Sequence, residues 1–178
     1  MRRVNDFYPT PEWATNFLVE RVSIGGWIFE CCSGNDDIAN VLARRAGAVI
    51  TNDIDTSMPA MFHRDILEPW DFGEVEFDWV VTNPPFNLAP QIVPRAYNHA
   101  REGIAMLLRL SFLEPVENRG PWLNQHPPTR MLVLPRISFT GDGKTDSVTC
   151  AWMVWEKGKQ GTITVAENPK FATASKAA

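Results

Sequence analysis

The stretch FDWVVTNPPFN, residues 77–87, decides how the chain is to be read. Its first half is a short, strongly apolar run of the kind that forms a fully buried strand. Its second half breaks at once: the amide Asn83 is followed by Pro84, Pro85 and the aromatic Phe86. Open α/β sheets bind ligands beyond the carboxyl ends of their strands, so a polar side chain at that point is placed for chemistry. A Pro-Pro pair alone is ordinary loop punctuation. Its position after a buried strand is what singles out Asn83, Pro84, Pro85 and Phe86.

Upstream, Thr10 reads as the N-cap and Pro11 as the first residue of an amphipathic helix over EWATNFLVERV, residues 12–22. GGWIFECC predicts a first strand. The tight loop SGNDD follows, with Asn35 or Asp36 capping a helix over DIANVLARRAG that stops near Gly47. AVITNDI is a second strand, MFHRDIL a short third strand or its approach, and FDWVVTN the fourth. Downstream, LAPQIVPRAYNHAREG is mostly helical and IAMLLRLSFL is a fifth strand. EPVENRGPWLNQHPPT is irregular with a helical turn. RMLVLPRISFT and SVTCAWMVWEKG are two further strands joined by the loop TGDGKTD. Strands alternating with helices predict an α/β, Rossmann-like fold: a seven-stranded, mainly parallel sheet with an antiparallel edge strand and helices on both faces. Residues 1–165 are expected to form one domain, and 166–178 a loosely ordered tail.

Composition narrows the classes. Apolar content of 44% and charged content of 21% are those of a globular protein in water. No apolar run approaches the length of a membrane helix, and MRRVNDFYPTPEW lacks the apolar core of a signal peptide. Cys31, Cys32 and Cys150 form no disulfide framework, and no Cys/His spacing suggests a metal site, so a reducing cytoplasm is expected. A net charge of −4 argues against strong non-specific binding of nucleic acid. The charge is unevenly spread, however. Residues 1–82 hold 6 Lys/Arg against 14 Asp/Glu, whereas residues 83–145 hold 7 against 4, so a polyanion would approach through the later segment.

The loop IFECCSGNDDIA carries only Gly34, where a dinucleotide pyrophosphate would need G-x-G-x-x-G. A nucleoside cofactor without phosphates suits it better, although a plain tight turn and capped helix would also produce this loop. Asp53, at the end of the second strand, can accept hydrogen bonds from both hydroxyls of a ribose. Glu30, at the end of the first, can face a charged amino acid moiety. Asp65 in HRDIL can read an adenine edge, or cap a turn.

The chemistry open to Asn83 is specific. The lone pair of a base's exocyclic amine is delocalised into the ring. Two oxygen acceptors gripping the amine hydrogens, the Asn83 side-chain carbonyl and the Pro84 backbone carbonyl, favour a pyramidal nitrogen and free that lone pair. Prolines contribute no competing N–H and stiffen the turn. Phe86 offers a flat face for a base, worth about 1–3 kcal/mol. Such a site works by orientation and by acceptors aimed at developing positive charge.

These motifs, in this order, resemble the class I S-adenosylmethionine-dependent methyltransferases, and specifically the adenine-N-6 DNA methyltransferases with an N-P-P-[FYW] motif, closest to the small phage-type family. The likeness covers about residues 5–157, from DFYPTP through IFECCSGNDDIA, NDID, RDIL and TNPPF to PRISFTGDGKTDS…WMVW. It implies transfer of a methyl group from S-adenosylmethionine to adenine in DNA. Asn83, Pro84, Pro85 and Phe86 would hold the base, and Tyr8, Thr10, Glu30, Gly34, Asp53 and Asp65 the cofactor. The family reads G-[DN]-G in the loop, whereas this chain has Gly34, Asn35, Asp36. It has Cys31 where Pro is usual.

No large insertion suggests a separate target-recognition domain. That leaves weak sequence specificity, single-stranded DNA, a homodimer or a separate specificity partner as routes to a target. Arg119, Arg130, Arg136 and Lys144 are the candidate DNA contacts. Methylation of RNA adenine or of protein glutamine uses the same motif on the same fold. An inactive methyltransferase fold serving as a nucleic-acid-binding subunit is the reading from another class, motivated by Asp36.

Overall fold

The computed structural model describes residues 9–70, 76–117, 119–137 and 148–161. Helix α1 (Glu12–Val19) leads to β1 (Gly26–Glu30), α2 (Asp37–Arg45), β2 (Gly47–Thr51), β3 (Phe77–Thr82), α3 (Ala89–His99) and β4 (Ala100–Arg109). Then come α4 (Gly120–Gln125), β5 (Arg130–Val133) and β6 (Cys150–Glu156). The six strands form one sheet in the order β2-β1-β3-β4-β6-β5. The pairs β1–β2, β1–β3 and β3–β4 are parallel, while β6 runs antiparallel to both β4 and β5. The antiparallel strand therefore sits one place in from the edge, and β5 is outermost.

Alternation along the strands separates two apolar layers. Trp79, Val81, Ala105, Leu107, Trp152 and Val154 face α1 and α2 through Ala14, Leu18, Ile38 and Leu42. Val80, Ile104, Met106, Leu108, Met153 and Trp155 face α3 and α4 through Ile92, Val93, Ala96 and Leu123. Helices thus cover both faces, as the fully buried apolar run Trp79–Val80–Val81 of β3 requires.

The sequence reading needs several corrections. MFHRDIL does not form a strand: its only ladder contact is a single parallel bridge between Asn52 and Phe62. The Asn52 side chain takes the place of the missing ladder. Its Oδ1 accepts from the Arg64 N–H at 3.0 Å, and its Nδ2 donates to the Arg64 carbonyl at 3.1 Å. One amide side chain pairs with Arg64 as a neighbouring peptide would. The segment 100–103, read as helix, opens β4 instead, and Leu110–Leu113, read as strand, is a 3-10 turn. Pro11, not Thr10, occupies the N-cap position of α1. Asp36 does occupy the N-cap position of α2, but its side chain makes no capping hydrogen bond. Tail residues 166–178 lie outside the described residues. No helix among the described residues is long and apolar enough to cross a membrane.

Candidate active site

From β1 the chain passes to β2 on one side and returns to β3 on the other. The strand order reverses at β1/β3, and loops leaving the carboxyl ends of these strands diverge there and open a crevice. A cleft of about 240 Å³ lies at this point, lined by Thr10, Glu30, Asp53, Asp65, Asn83 and Pro85 among others. Six of the residues singled out from sequence thus meet at one cleft. Gly34 stands beside it, its N–H donating to Asp53 Oδ2 at 2.8 Å. Asp53 Oδ1 accepts from the Asp55 N–H at 2.9 Å, so the carboxylate joins the loop after β1 to the loop after β2.

Glu30 is the most constrained group at the site. It is 1% exposed, and its Oε2 has no hydrogen-bond partner among the described residues. Burial, reinforced by the nearby Asp36 charge, pushes its carboxyl well above the ordinary carboxylate range. Asp36 is also shifted up, burial first, and Asp37 likewise. Asp65 is exposed, and its Oδ1 accepts from the Leu67 N–H at 2.9 Å; it serves as a turn cap at the cleft's rim. Cys32 lines the cleft, but its thiol is pushed well up by the hydrogen bond with Cys31 and then by burial. A neutral thiol is no nucleophile.

The motif after β3 is set by its neighbours. The Pro85 carbonyl accepts from the N–H groups of Leu88 and Ala89 at 2.9 and 3.0 Å, committing it to the first turn of α3. Asn83 Nδ2 donates to Thr10 Oγ1 at 3.1 Å. Phe86 does not line the cleft. It is half-buried against the α1/α2 layer, with the Arg109 guanidinium carbon 4.5 Å from its ring centroid.

The described candidate DNA contacts, Arg119, Arg130 and Arg136, do not all lie at one end of the sheet. Arg119 donates to the carbonyls of Glu114 and Ser111, which holds the turn after β4. Arg130 pairs with Glu156 and donates to the Arg21 carbonyl. Since Arg130 opposes Val154, near the end of β6 remote from Arg109, it stands at the end of the sheet away from the cleft. Arg136 is exposed beyond the cleft-side end of β5. Tyr8 and Lys144 lie outside the described residues.

Sequence reasoning missed Asn52, Asp37 and Arg109. Asn52 is 1% exposed and lines the cleft. A lone polar residue closing the apolar run AVIT was its only signal. Arg109 carried none, since its ring partner is far away in sequence. Among the described residues no cluster of His, Cys, Asp and Glu could hold a metal ion.

No family model matches the chain, and no curated protein does. Solved structures do. A provisionally assigned RNA methyltransferase from Pyrococcus horikoshii superposes with a TM-score of 0.63 at 14% identity, over 85% of this chain and 88% of that one. A dimethyladenosine transferase from Plasmodium falciparum gives 0.61 at 12% identity, over 84% of this chain and 62% of the other. The 23S rRNA methyltransferase ErmE gives 0.58 at 15% identity, over 91% and 72%. This chain has the α/β, Rossmann-like fold of these methyltransferases.

Proposed function

We propose that the chain transfers a methyl group from S-adenosylmethionine to the exocyclic amine of adenine in DNA. The observation that carries this reading is the Asn83 amide, held at the carboxyl end of β3 in the same cleft as Asp53 and Glu30. The residues present fit the cofactor. Glu30 Oε2 is a buried acceptor without a partner among the described residues, and it would take the cofactor's ammonium group. Asp53 uses one lone pair of each oxygen on the backbone and keeps others to accept ribose hydroxyls. Asp65, on the rim, takes the adenine side. When bound, S-adenosylmethionine supplies an electrophilic methyl group on a positively charged sulfur.

The protein's own part is orientation and charge stabilisation. Asn83 Oδ1 and the Pro84 carbonyl accept the two amine hydrogens, turning the nitrogen lone pair toward the methyl group. The Pro85 carbonyl is engaged by α3, so the second acceptor is assigned to the carbonyl of Pro84, a buried residue next to the cleft-lining Asn83 and Pro85. As positive charge develops on the nitrogen these two dipoles stabilise it, and no strong base is needed. Phe86, which stands outside the cleft with Arg109 against its ring, would take the base only if that pair parted. A duplex adenine has to leave its stack to reach the cleft.

RNA adenine is the second reading, favoured by the likeness to the 23S rRNA methyltransferase ErmE and to the dimethyladenosine transferase. The deciding experiment is transfer of labelled methyl from S-adenosylmethionine to single-stranded DNA, duplex DNA and RNA, followed by digestion to nucleosides. Labelled N6-methyladenine from DNA, absent with Asn83→Ala, is the expected result. A preference for RNA moves the reading to RNA. No transfer to any of them, with no cofactor binding, leaves an inactive fold.

A further inference from the structure

Thr10 stands between two prolines, Pro9 and Pro11. A residue that precedes proline is held in an extended backbone conformation, and a β-branched side chain has few rotamers. Its hydroxyl is therefore fixed in place before any ligand arrives. Thr10 is also only 5% exposed. The expected use of that hydroxyl, capping α1, is not made, because the cap position has passed to Pro11. The hydroxyl instead accepts from Asn83 Nδ2 at 3.1 Å, across 73 residues of sequence. The Thr10 backbone N–H also lies close enough to the Asp37 carboxylate, at the start of α2, to offset part of the rise that burial gives that carboxyl. The one hydrogen bond of the Thr10 side chain given among the described residues ties it to the motif after β3.

An amide side chain has two chemically opposite ends, and rotation by half a turn exchanges them. With the Asn83 carbonyl toward the adenine amine, the site offers an acceptor. With the NH2 group there, it offers donors that repel the amine hydrogens. We infer that Thr10 is a positioning residue for Asn83: by holding the nitrogen end, it commits the oxygen end of the amide to the incoming amine. The inference rests on the proposed role of Asn83, and it moves Thr10 from the cofactor to the reacting base. It also gives the Thr10–Asn83 hydrogen bond a use, since the segment before α1 and the base-binding turn are then tied directly to one another.

Two variants and three readouts test it. Thr10→Val keeps shape and removes the hydroxyl, whereas Thr10→Ser keeps the hydroxyl. Turnover of Thr10→Val is expected to fall about 10- to 100-fold, the scale of a misaligned reacting group. S-adenosylmethionine affinity, measured by calorimetry, should stay within about twofold. Thr10→Ser should restore most of the turnover. In ¹⁵N spectra, the Asn83 side-chain amide protons should shift in Thr10→Val and keep their place in Thr10→Ser. Cofactor affinity falling as much as turnover, turnover left intact, or an unmoved Asn83 amide signal would each overturn the role. If the wild-type protein binds cofactor but methylates no nucleic acid, the reading of Asn83 fails and the positioning role with it, while the amide spectra still report the hydrogen bond itself.

Discussion

Asp36 holds the left-handed conformation, φ 60° and ψ 25°, at the position where the resembled family places its second glycine. A side chain in that region costs about 1–2 kcal/mol, although aspartate bears it better than most residues. Asp36 Oδ1 is moreover buried without a partner among the described residues. Asp36→Gly should relieve both burdens, less the entropy glycine gains in the unfolded chain, for a net stabilisation of about 1 kcal/mol. Thermal unfolding would then shift up by roughly 2–4 °C for a domain of this size. A fall would show that the carboxylate makes a contact worth more than the strain. At Glu30 the expectation concerns pH. Its folded-state pKa is raised above 4.5, so the folded protein keeps a proton that the unfolded chain releases. Stability is therefore lost as pH rises from about 4.5 toward the folded-state value, by up to about 1.4 kcal/mol per pH unit. Glu30→Gln cannot lose a proton. The difference in urea midpoint between the two proteins should grow in the variant's favour across that window. A constant difference would mean that Glu30 titrates alike in both states.

Among the elements, β4 shows how closely the sheet is fitted. A Cβ on Gly103 would stand 2.5 Å from the Trp155 carbonyl oxygen and 2.9 Å from the Trp79 ring. The first is ladder backbone and the second a buried indole, so neither can retreat. Gly103→Ala should cost about 1–3 kcal/mol, read as a drop in unfolding temperature. An unchanged temperature would mean that β4 can slide. The same scale shows what was legible beforehand. β3 and β6 announced themselves by consecutive buried apolar residues, Trp79–Val81 and Cys150–Trp155, and α2 because its apolar residues recur at helical spacing. MFHRDIL failed because its fold depends on Asn52, whose pairing with Arg64 spans 12 residues and leaves no periodicity. Thr10 read as a cap by local rules and was diverted by a partner on β3's loop. Position in or beside loops placed Arg119 and Arg130 among candidate DNA contacts. The bonds of Arg119 to the Glu114 and Ser111 carbonyls lie within its own loop and the pairing of Arg130 with Glu156 spans 26 residues, and neither has a periodicity that sequence could show.

For the whole molecule, the acidic bias of residues 1–82 now has a location: Glu30, Asp37, Asp53, Asp55 and Asp65 all line the cleft. Such a field favours a ligand carrying positive charge. A cofactor that binds only the folded state at 100 times its dissociation constant adds about 2.7 kcal/mol. S-adenosylmethionine should then raise the unfolding temperature by roughly 5–10 °C, and Asp53→Ala should remove most of the shift. No shift at saturating cofactor would show that the cleft does not take this nucleoside. The order of the sheet also has a consequence for synthesis. Among the described residues β5 pairs only with β6, and β6, inserted between β4 and β5, is the last strand along the chain. While the ribosome is still making residues 134–149, β5 has no neighbour and β4 lacks one. The Trp152 indole, which donates to the Ala14 carbonyl at 2.8 Å and docks α1, does not yet exist. The nascent chain thus carries one open sheet edge and a first helix packed on α2 but not yet tied to β6, and both are completed by residues 150–156.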